Sequence, residues 1–493
     1  MAYQLGDTIL DAHYDSFADS TNLVWGRQGT KNLAPNTAFK WYEGTIPNGY
    51  ASYNNGGISV THAALGAVGV FGTSAHRVTA NANTTLQLGV YTTASFAHGG
   101  CLPWTASATY TISFYAKAGS AGAVGFQMYG LYSGMGFTSP TEISNPTLTT
   151  DWQRYAFSGV AGNNANNATG ELHLSWKTSG TLPSGASLDF CAVQVETGGS
   201  VTSYEPDSCT GMGQWGTVAN VAVGDTVSAT QWSTLLSKIT SAWNHQGFAG
   251  RPLTSITPPV AGDTISAFTA LQGNVNAIRT NPFDCGGSGT DITAGGVVSR
   301  TGSWTVQTVM EFNITWTDVH AMRYFFNSGG QIRFTSSRSG GTAHSKNTDW
   351  TNLCSNMGTL VINNGVGAST LAGTAYNAGV TKVGGGGSPT TLLTAYGFYK
   401  ARSGWQEIFL QYSPTAPYTA NYIQLYLIRL SQNQIRFHLY FQDNATDNSI
   451  PASVDVIDGT VTGTCVVRPP YTTYLEGSSW GTPTISGSVI AVS

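Results

Sequence analysis

Fewer than one residue in ten of this chain carries a charge: Lys, Arg, Asp and Glu make up 9% of it, against about 25% in an ordinary globular protein. That scarcity constrains the fold more than any single motif. Exposed helix faces are usually built from Lys, Arg and Glu, and too few are present. The solvent faces must instead carry Thr, Ser, Asn and Gly, the residues of pleated strands and tight turns. The expectation is an all-β chain. Disorder is the competing outcome, but 41% hydrophobic and 11% aromatic residues suffice to build cores, and the formal net charge is only −4. At 493 residues the chain has room for about two to four domains.

The same composition excludes several classes of function. Phosphate backbones are held by clustered Lys and Arg, and no basic run exists, so no nucleic-acid partner is expected. No stretch of about 18 apolar residues is present, so no membrane span is expected. The segment from Met1 to Leu10 lacks the basic and apolar regions of a secretory signal, so the product is expected to stay in a cytoplasm unless another route carries it out. The six cysteines, Cys101, Cys191, Cys209, Cys285, Cys354 and Cys465, form no CxxC pair, and no His stands at metal-ligand spacing from one. They read as isolated buried thiols, with a Cys191–Cys209 bridge as the alternative. No metal or other cofactor is expected.

Internal repetition organises the chain. Gly6-Asp7-Thr8-Ile9 recurs as Gly224-Asp225-Thr226-Val227 and as Gly262-Asp263-Thr264-Ile265. At a fixed offset of 218 residues, Tyr14 matches Trp232, Phe17 matches Leu235 and Trp25 matches Trp243. In the third copy Phe268, Leu271, Val275 and Ile278 take the apolar positions. Each copy reads as a short amphipathic helix, giving helices at about 9–25, 228–245 and 265–280 and no others. Ser228 followed by Gln231 has the form of a capping box. The aromatics Tyr14, Phe17, Trp25, Trp232 and Trp243, with Leu235, are either core residues or docking residues for another protein.

Between the first two helices, Ala108–Lys117, Ala123–Tyr132, Trp152–Val160, Gly170–Lys177 and Ser187–Glu196 alternate in period two, as half-buried strands do. Gly162–Asn167 is one of the turn clusters between them. The pattern is that of an antiparallel sandwich. Four segments are expected: an N-terminal helical segment, 1–27; a jelly roll, 28–208; a helical connector, 209–284; and a C-terminal β-sandwich, 285–493. In the last, Gly302–Trp316 and Ile332–Ser336 alternate, Tyr422–Leu430 and Ile435–Gln442 form a hairpin across Ser431–Gln434, and Gly384–Gly387 marks a loop or a close backbone approach.

The first sandwich opens with Asn32-Leu33-Ala34-Pro35-Asn36. It contains Tyr110-Thr111-Ile112-Ser113-Phe114-Tyr115-Ala116-Lys117 and Trp152-Gln153-Arg154-Tyr155. It closes with Gln194-Val195-Glu196-Thr197-Gly198 and Thr202-Ser203-Tyr204-Glu205-Pro206. This order resembles the carbohydrate-binding-module-like jelly rolls attached to tail fibres and other virion proteins of tailed bacteriophages. Arg323-Tyr324-Phe325-Phe326-Asn327-Ser328-Gly329-Gly330, Ile332-Arg333-Phe334, Ser337-Arg338-Ser339-Gly340-Gly341 and Lys346-Asn347-Thr348-Asp349-Trp350 resemble a module of phage structural proteins, tail-fibre and baseplate-associated ones among them. The resemblance implies a place in a particle and no reaction.

Candidate chemistry is sparse. A glycan-cleaving enzyme needs two carboxylates about 5–10 Å apart. Asp443, Asp447, Asp455 and Asp458 stand among turn residues and read as turn caps; Glu407, in the strand-like Trp405–Gln411, is the other candidate. No Gly-x-Ser-x-Gly elbow is present, and Gly384–Gly387 leads into Ser388-Pro389 rather than a phosphate loop. Sugar binding has a better basis. Trp41, Tyr42, Tyr50 and Tyr53 cluster amid Asn48, Asn54 and Asn55 in a loop-like setting; Trp104 is a weaker candidate. These rings either stack on a sugar or close the open end of the sandwich. The expected function is a homo-oligomeric structural component of a phage virion, assembled in the host cytoplasm and exposed on the particle exterior. It would be a tail-fibre, baseplate or neck appendage that binds other virion proteins and contacts host-surface polysaccharide in host attachment. A collar, decoration or adaptor protein without ligand is the alternative, and a polysaccharide-degrading enzyme a third.

Overall fold

The computed structural model describes residues 11–25, 39, 42–43, 45–47, 50–54, 58–70, 73–85, 88–92, 108–133, 147–160, 171–177, 180–201, 218–222, 224–247, 253–257, 268–280, 282–317, 319–401, 404–431, 433–445, 456–475 and 480–492. The chain divides into two compact units. One is Gln28–Asp207 with Arg402–Gly404; the other is Met1–Arg27, Ser208–Ala401 and Trp405–Ser493. The expected N-terminal segment, connector and C-terminal sandwich thus fall in one unit. The fold is all-β and multi-domain, every named strand pair being antiparallel.

The first unit is a sandwich of two sheets. Four strands form one, in the order β3 (Tyr50–Asn54), β6 (Leu88–Thr92), β10 (Glu171–Lys177), β8 (Gln127–Ser133). Five form the other, in the order β4 (Val60–Ala64), β5 (His76–Ala80), β11 (Ser187–Thr197), β7 (Thr109–Ala118), β9 (Gln153–Val160). A short hairpin, β1 (Tyr42–Glu43) and β2 (Ile46–Pro47), precedes them. Alternate residues of the strands fill the core: Tyr110, Ile112, Phe114, Leu188, Phe190, Val78, Val90, Leu88 and Leu174. Burying each such side chain contributes roughly 1.5–3 kcal/mol. One polar line crosses this core. His62 Nε2 and Ser52 Oγ are 2.8 Å apart, and His62 Nδ1 and His76 Nε2 3.0 Å.

The second unit holds two larger sheets. One has the order β12 (Val297–Thr301), β23 (Thr460–Arg468), β14 (Gln331–Ser339), β15 (Thr359–Ile362), β18 (Val380–Val383). The other has the order β19 (Thr391–Leu392), β20 (Gln406–Tyr412), β21 (Tyr422–Ser431), β22 (Gln434–Gln442), β13 (Gln307–Thr315), β24 (Thr484–Val492). β16 (Ser369–Leu371) and β17 (Thr374–Tyr376) pair separately. Phe334 joins the sheets, 5.4 Å from Phe312 and 4.7 Å from Phe437 between ring centroids. The expected hairpin forms, with Tyr422 opposite Gln442. The glycine run is both a loop and a close approach: Gly384, Gly385 and Gly387 have positive φ, and a Cβ on Gly385 would lie 2.4 Å from the Asn356 carbonyl oxygen.

Helices α1 (Asp11–Trp25), α2 (Ala229–Gln246) and α3 (Phe268–Thr280) pack on one another in this second unit. Ser228 caps α2 in the expected box, its hydroxyl accepting from the Gln231 amide. The repeat explains the packing, because matched residues meet: Tyr14 and Trp232 stand edge to face at 5.1 Å. The tetrapeptides 6–9 and 262–265 lie outside the described residues, as do residues 32–36, 162–167 and 202–206, Cys101 and Cys209. Cys191, Cys285, Cys354 and Cys465 are free buried thiols. No helix among the described residues is long and apolar enough to cross a membrane.

Two further helices correct the expectation of three. α4 (Val319–Asn327) is only nine residues long, and from Ala321 to Asn327 it is buried throughout, Arg323 and Asn327 as well as Met322, Tyr324, Phe325 and Phe326. α5 (Ser345–Met357) is amphipathic, but its buried face carries Lys346, Asn347 and Asp349 beside Trp350, Leu353, Cys354 and Met357. Those polar residues hide its period.

Burial pushes the His76 imidazole down to about 3, helped by neighbouring His62, and His245 down to about 4, its bond to the Ser328 carbonyl opposing. In the unfolded chain both titrate near 6.5. Between the folded and unfolded values the unfolded chain binds more protons, so stability is complete above about 6.5 and falls with acid. Thermal midpoints are expected to drop progressively from about pH 7 to about pH 4, and less steeply in a folded His76→Phe variant. An unchanged slope in that variant would contradict the assignment.

Candidate functional site

The register of the four-stranded sheet assigns each residue to a face. Tyr50, Leu88, Val90 and Leu174 are core residues, and Ser52 reaches inward to His62. Ser52, Val90, Leu174 and Gly130 form one row across the four strands. One neighbouring row is Tyr53, Gly89, Ser175, Tyr129; the other is Ala51, Tyr91, His173, Leu131. The register thus brings three tyrosines and a histidine into the two rows that flank it, while the side chains of Tyr53, Tyr91, Tyr129 and His173 lie outside the described residues.

Flat faces of this make-up suit amphipathic ligands. An aromatic ring takes the apolar side of a sugar ring, and phenol, imidazole and hydroxyl groups exchange hydrogen bonds with its hydroxyls. The face is held from behind by the Ser52–His62–His76 line. Burial lowers the His62 imidazole below its usual range as well, so both histidines are neutral at pH 7 and one ring nitrogen donates to the other.

The residues chosen from sequence divide. Tyr53 pairs with Gly89 in one of these rows, its side chain outside the described residues. The Tyr50 ring is buried at 2% exposure, 5.3 Å from Phe39, so it is a core residue rather than a stacking platform. Tyr42 pairs with Pro47 in the short hairpin, its side chain outside the described residues, where Trp41, Asn48, Asn55 and Trp104 also lie. Tyr91, Tyr129 and His173 were missed. Aromatic clustering along the chain cannot find them, since they come from three distant segments; alternation in 88–92 and pairing with 171–177 would have.

The residues offered as docking contacts of the helices are largely engaged at home. Tyr14, Phe17, Trp25, Trp232 and Leu235 are buried, and Trp243 is half-buried. Tyr14 Oη donates to the Gln231 carbonyl at 3.1 Å, and Trp25 Nε1 to that of Lys238 at 3.1 Å. Packing within the unit has used the faces a partner would need.

The carboxylates are also fixed. Asp443 is no turn cap; it is a buried ion-pair partner of Lys346, 2.6 Å away. Asp458 does cap a turn, accepting from the Thr342 amide at 2.9 Å beside Arg338. Asp447 and Asp455 lie outside the described residues. Glu407 shares a row with Glu311, through Tyr426 and His438. Three strand spacings of about 4.8 Å put the two backbones roughly 14 Å apart, beyond the separation of a glycosidase pair.

No family model matches the chain, and no curated protein matches it. Among solved structures, an arabinose-bound GH51 α-L-arabinofuranosidase is similar over 34% of this chain and 26% of its own, at 10% identity and TM-score 0.25. The CBM22-1 xylan-binding domain from Paenibacillus barcinonensis is similar over 35% of this chain and 98% of its own, at 14% identity and TM-score 0.25. Tailspike protein 4 of bacteriophage CBA120 is similar over 34% of this chain and 21% of its own, at 8% identity and TM-score 0.22. With TM-scores this low, none of these likenesses bears on what the chain does.

The Lys346–Asp443 pair gives a direct test of structural over catalytic use. Asp443→Asn is expected to destabilise the second unit by about 3–5 kcal/mol, while Lys346→Met with Asp443→Leu costs much less. Denaturant unfolding checks it; equal costs for the single and double variants would contradict the pairing.

Proposed function

We propose that this chain is a structural protein of a tailed-phage particle, a tail-fibre, baseplate or neck appendage, whose first unit binds host-surface glycan on the outer face of the four-stranded sheet. The observation that carries the glycan part is the register that sets Tyr53, Tyr91, Tyr129 and His173 in two rows of the four-stranded sheet, on either side of the row of Ser52, Val90 and Leu174. The particle is supported by the motifs at 32–36, 194–198 and 323–350 and their resemblance to virion modules. Low charge and a surface of small hydroxyl and amide residues suit an exposed, long-lived component. In this reading the chain assembles as a homo-oligomer with other virion proteins, and it binds glycan without cleaving it. The wide spacing of Glu311 and Glu407 and the buried pairing of Asp443 support binding over hydrolysis.

The test is binding of purified protein to host cells and to extracted surface polysaccharide. Tyr91→Ala with Tyr129→Ala is expected to weaken saturable binding about tenfold or more, about 1.4 kcal/mol, with an unchanged melting curve. Absence of binding by the folded wild-type oligomer would favour a collar, decoration or adaptor role.

A further inference from the structure

The outer face of the six-stranded sheet carries a second aromatic surface, built from residues that are distant from the first unit in sequence. β21 and β22 bring Tyr426 opposite His438 and Tyr422 opposite Gln442; β20 adds Glu407 opposite Tyr426 and Tyr412 opposite Tyr422. Trp405, just before β20, lies over the His438 imidazole with centroids 4.0 Å apart, and 41% of it remains exposed. Tyr426 stands 6.5 Å from Trp405 and 5.4 Å from Tyr440. Tyr412, 39% exposed, meets Tyr422 at 5.3 Å. Tyr422 and Tyr426 are four residues apart on one strand, roughly 13 Å, so the rings extend beyond the reach of a single small molecule.

Carboxylates are set among these rings. Glu407 accepts from Thr391 Oγ1 at 2.5 Å on one oxygen and from Gln424 Nε2 on the other, and no cation pairs with it among the described residues. A carboxylate has about four lone-pair sites, so neutral donors fix this one while leaving about two acceptor sites unused. Glu311 is held by Asn313 Nδ2 at 2.8 Å, by Arg436 at 3.2 Å and by His438 Nε2 at 3.0 Å. Burial pushes Glu311 up, but those bonds and the Arg436 charge outweigh it and leave the carboxyl below its usual range. Burial also lowers His438, against the pull of Glu311, so at neutral pH it is an uncharged donor beneath Trp405.

We infer that this face is a second glycan-binding site, and that its ligand is an uncharged oligosaccharide stacked on Trp405 with its hydroxyls donating to Glu407. Glu311 and Glu407 against the one Arg436 leave this face net acidic, which disfavours uronic or other acidic sugars. The cores of protein–protein interfaces are depleted in charged residues, whereas this face interleaves rings with fixed carboxylates and amides, the groups a polyhydroxylated ligand needs. The inference goes beyond the first unit's site and stands or falls separately from it.

The experiment uses the full chain in four forms: wild type, Trp405→Ala, Glu407→Gln, and Tyr91→Ala with Tyr129→Ala. Each is titrated calorimetrically with uncharged glucan, galactan and mannan oligosaccharides and with a polyuronate, after a melting curve establishes folding. The expected result is binding of at least one uncharged oligosaccharide, none of the polyuronate, and a loss of about tenfold or more in Trp405→Ala and Glu407→Gln that the tyrosine double variant does not share. If Trp405→Ala does not fold, Glu407→Gln carries the test alone. Wild-type affinity in both folded variants, or no uncharged oligosaccharide bound by the tyrosine double variant, overturns this second site and leaves the first untouched.

Discussion

The pairing of β10 between β6 and β8 is the constraint on which the functional account depends. Leu174 and Val90 are buried in register, and a slip of one residue would exchange the two faces of the sheet. The leucine and valine would then face water. Apolar burial inside the sandwich therefore selects the register that sets Tyr91, Tyr129 and His173 in the rows beside them. Ser52, His62 and His76 add to the selection, since their hydrogen bonds form only with Ser52 turned inward. A buried polar line that is satisfied rigidifies a core; one left unsatisfied is costly.

Scarcity of charge gives both units their character. Several of the few charges present tie segments together. Arg77 grips Asp189 at 2.6 Å from an adjacent strand of the same sheet, Arg468 holds Asp291 at 2.5 Å, and Lys346 reaches Asp443. Removing one member of a buried pair strands the other in a medium that cannot solvate it. The exposed faces are left to hydroxyls, amides and aromatic rings, and rings beside fixed acceptors are what sugar recognition requires.

Much of the fold was legible in the sequence because local signals agreed with tertiary packing. The Ser228–Gln231 box, the Tyr422–Gln442 hairpin and the alternation of Thr109–Ala118 each state their structure within a dozen residues. The 218-residue repeat signalled more than its motif, since Tyr14 and Trp232 meet in the structure. α5 stayed hidden because Lys346, Asn347 and Asp349 face inward, where a period of apolar residues would be sought. The candidate site was legible only at Tyr53. Proximity along the chain suggested Tyr50, but alternation sends it to the core, and Tyr91, Tyr129 and His173 arrive by pairing between segments that no local pattern connects.

The central claim is that glycan covers the outer face of the four-stranded sheet. Acetylation of tyrosines with and without saturating host polysaccharide, mapped by mass spectrometry, tests it most directly. Protection of Tyr53, Tyr91 and Tyr129, with no change at the buried Tyr155, is the expected result. Unchanged labelling of all three tyrosines while the polysaccharide is demonstrably bound would contradict the account.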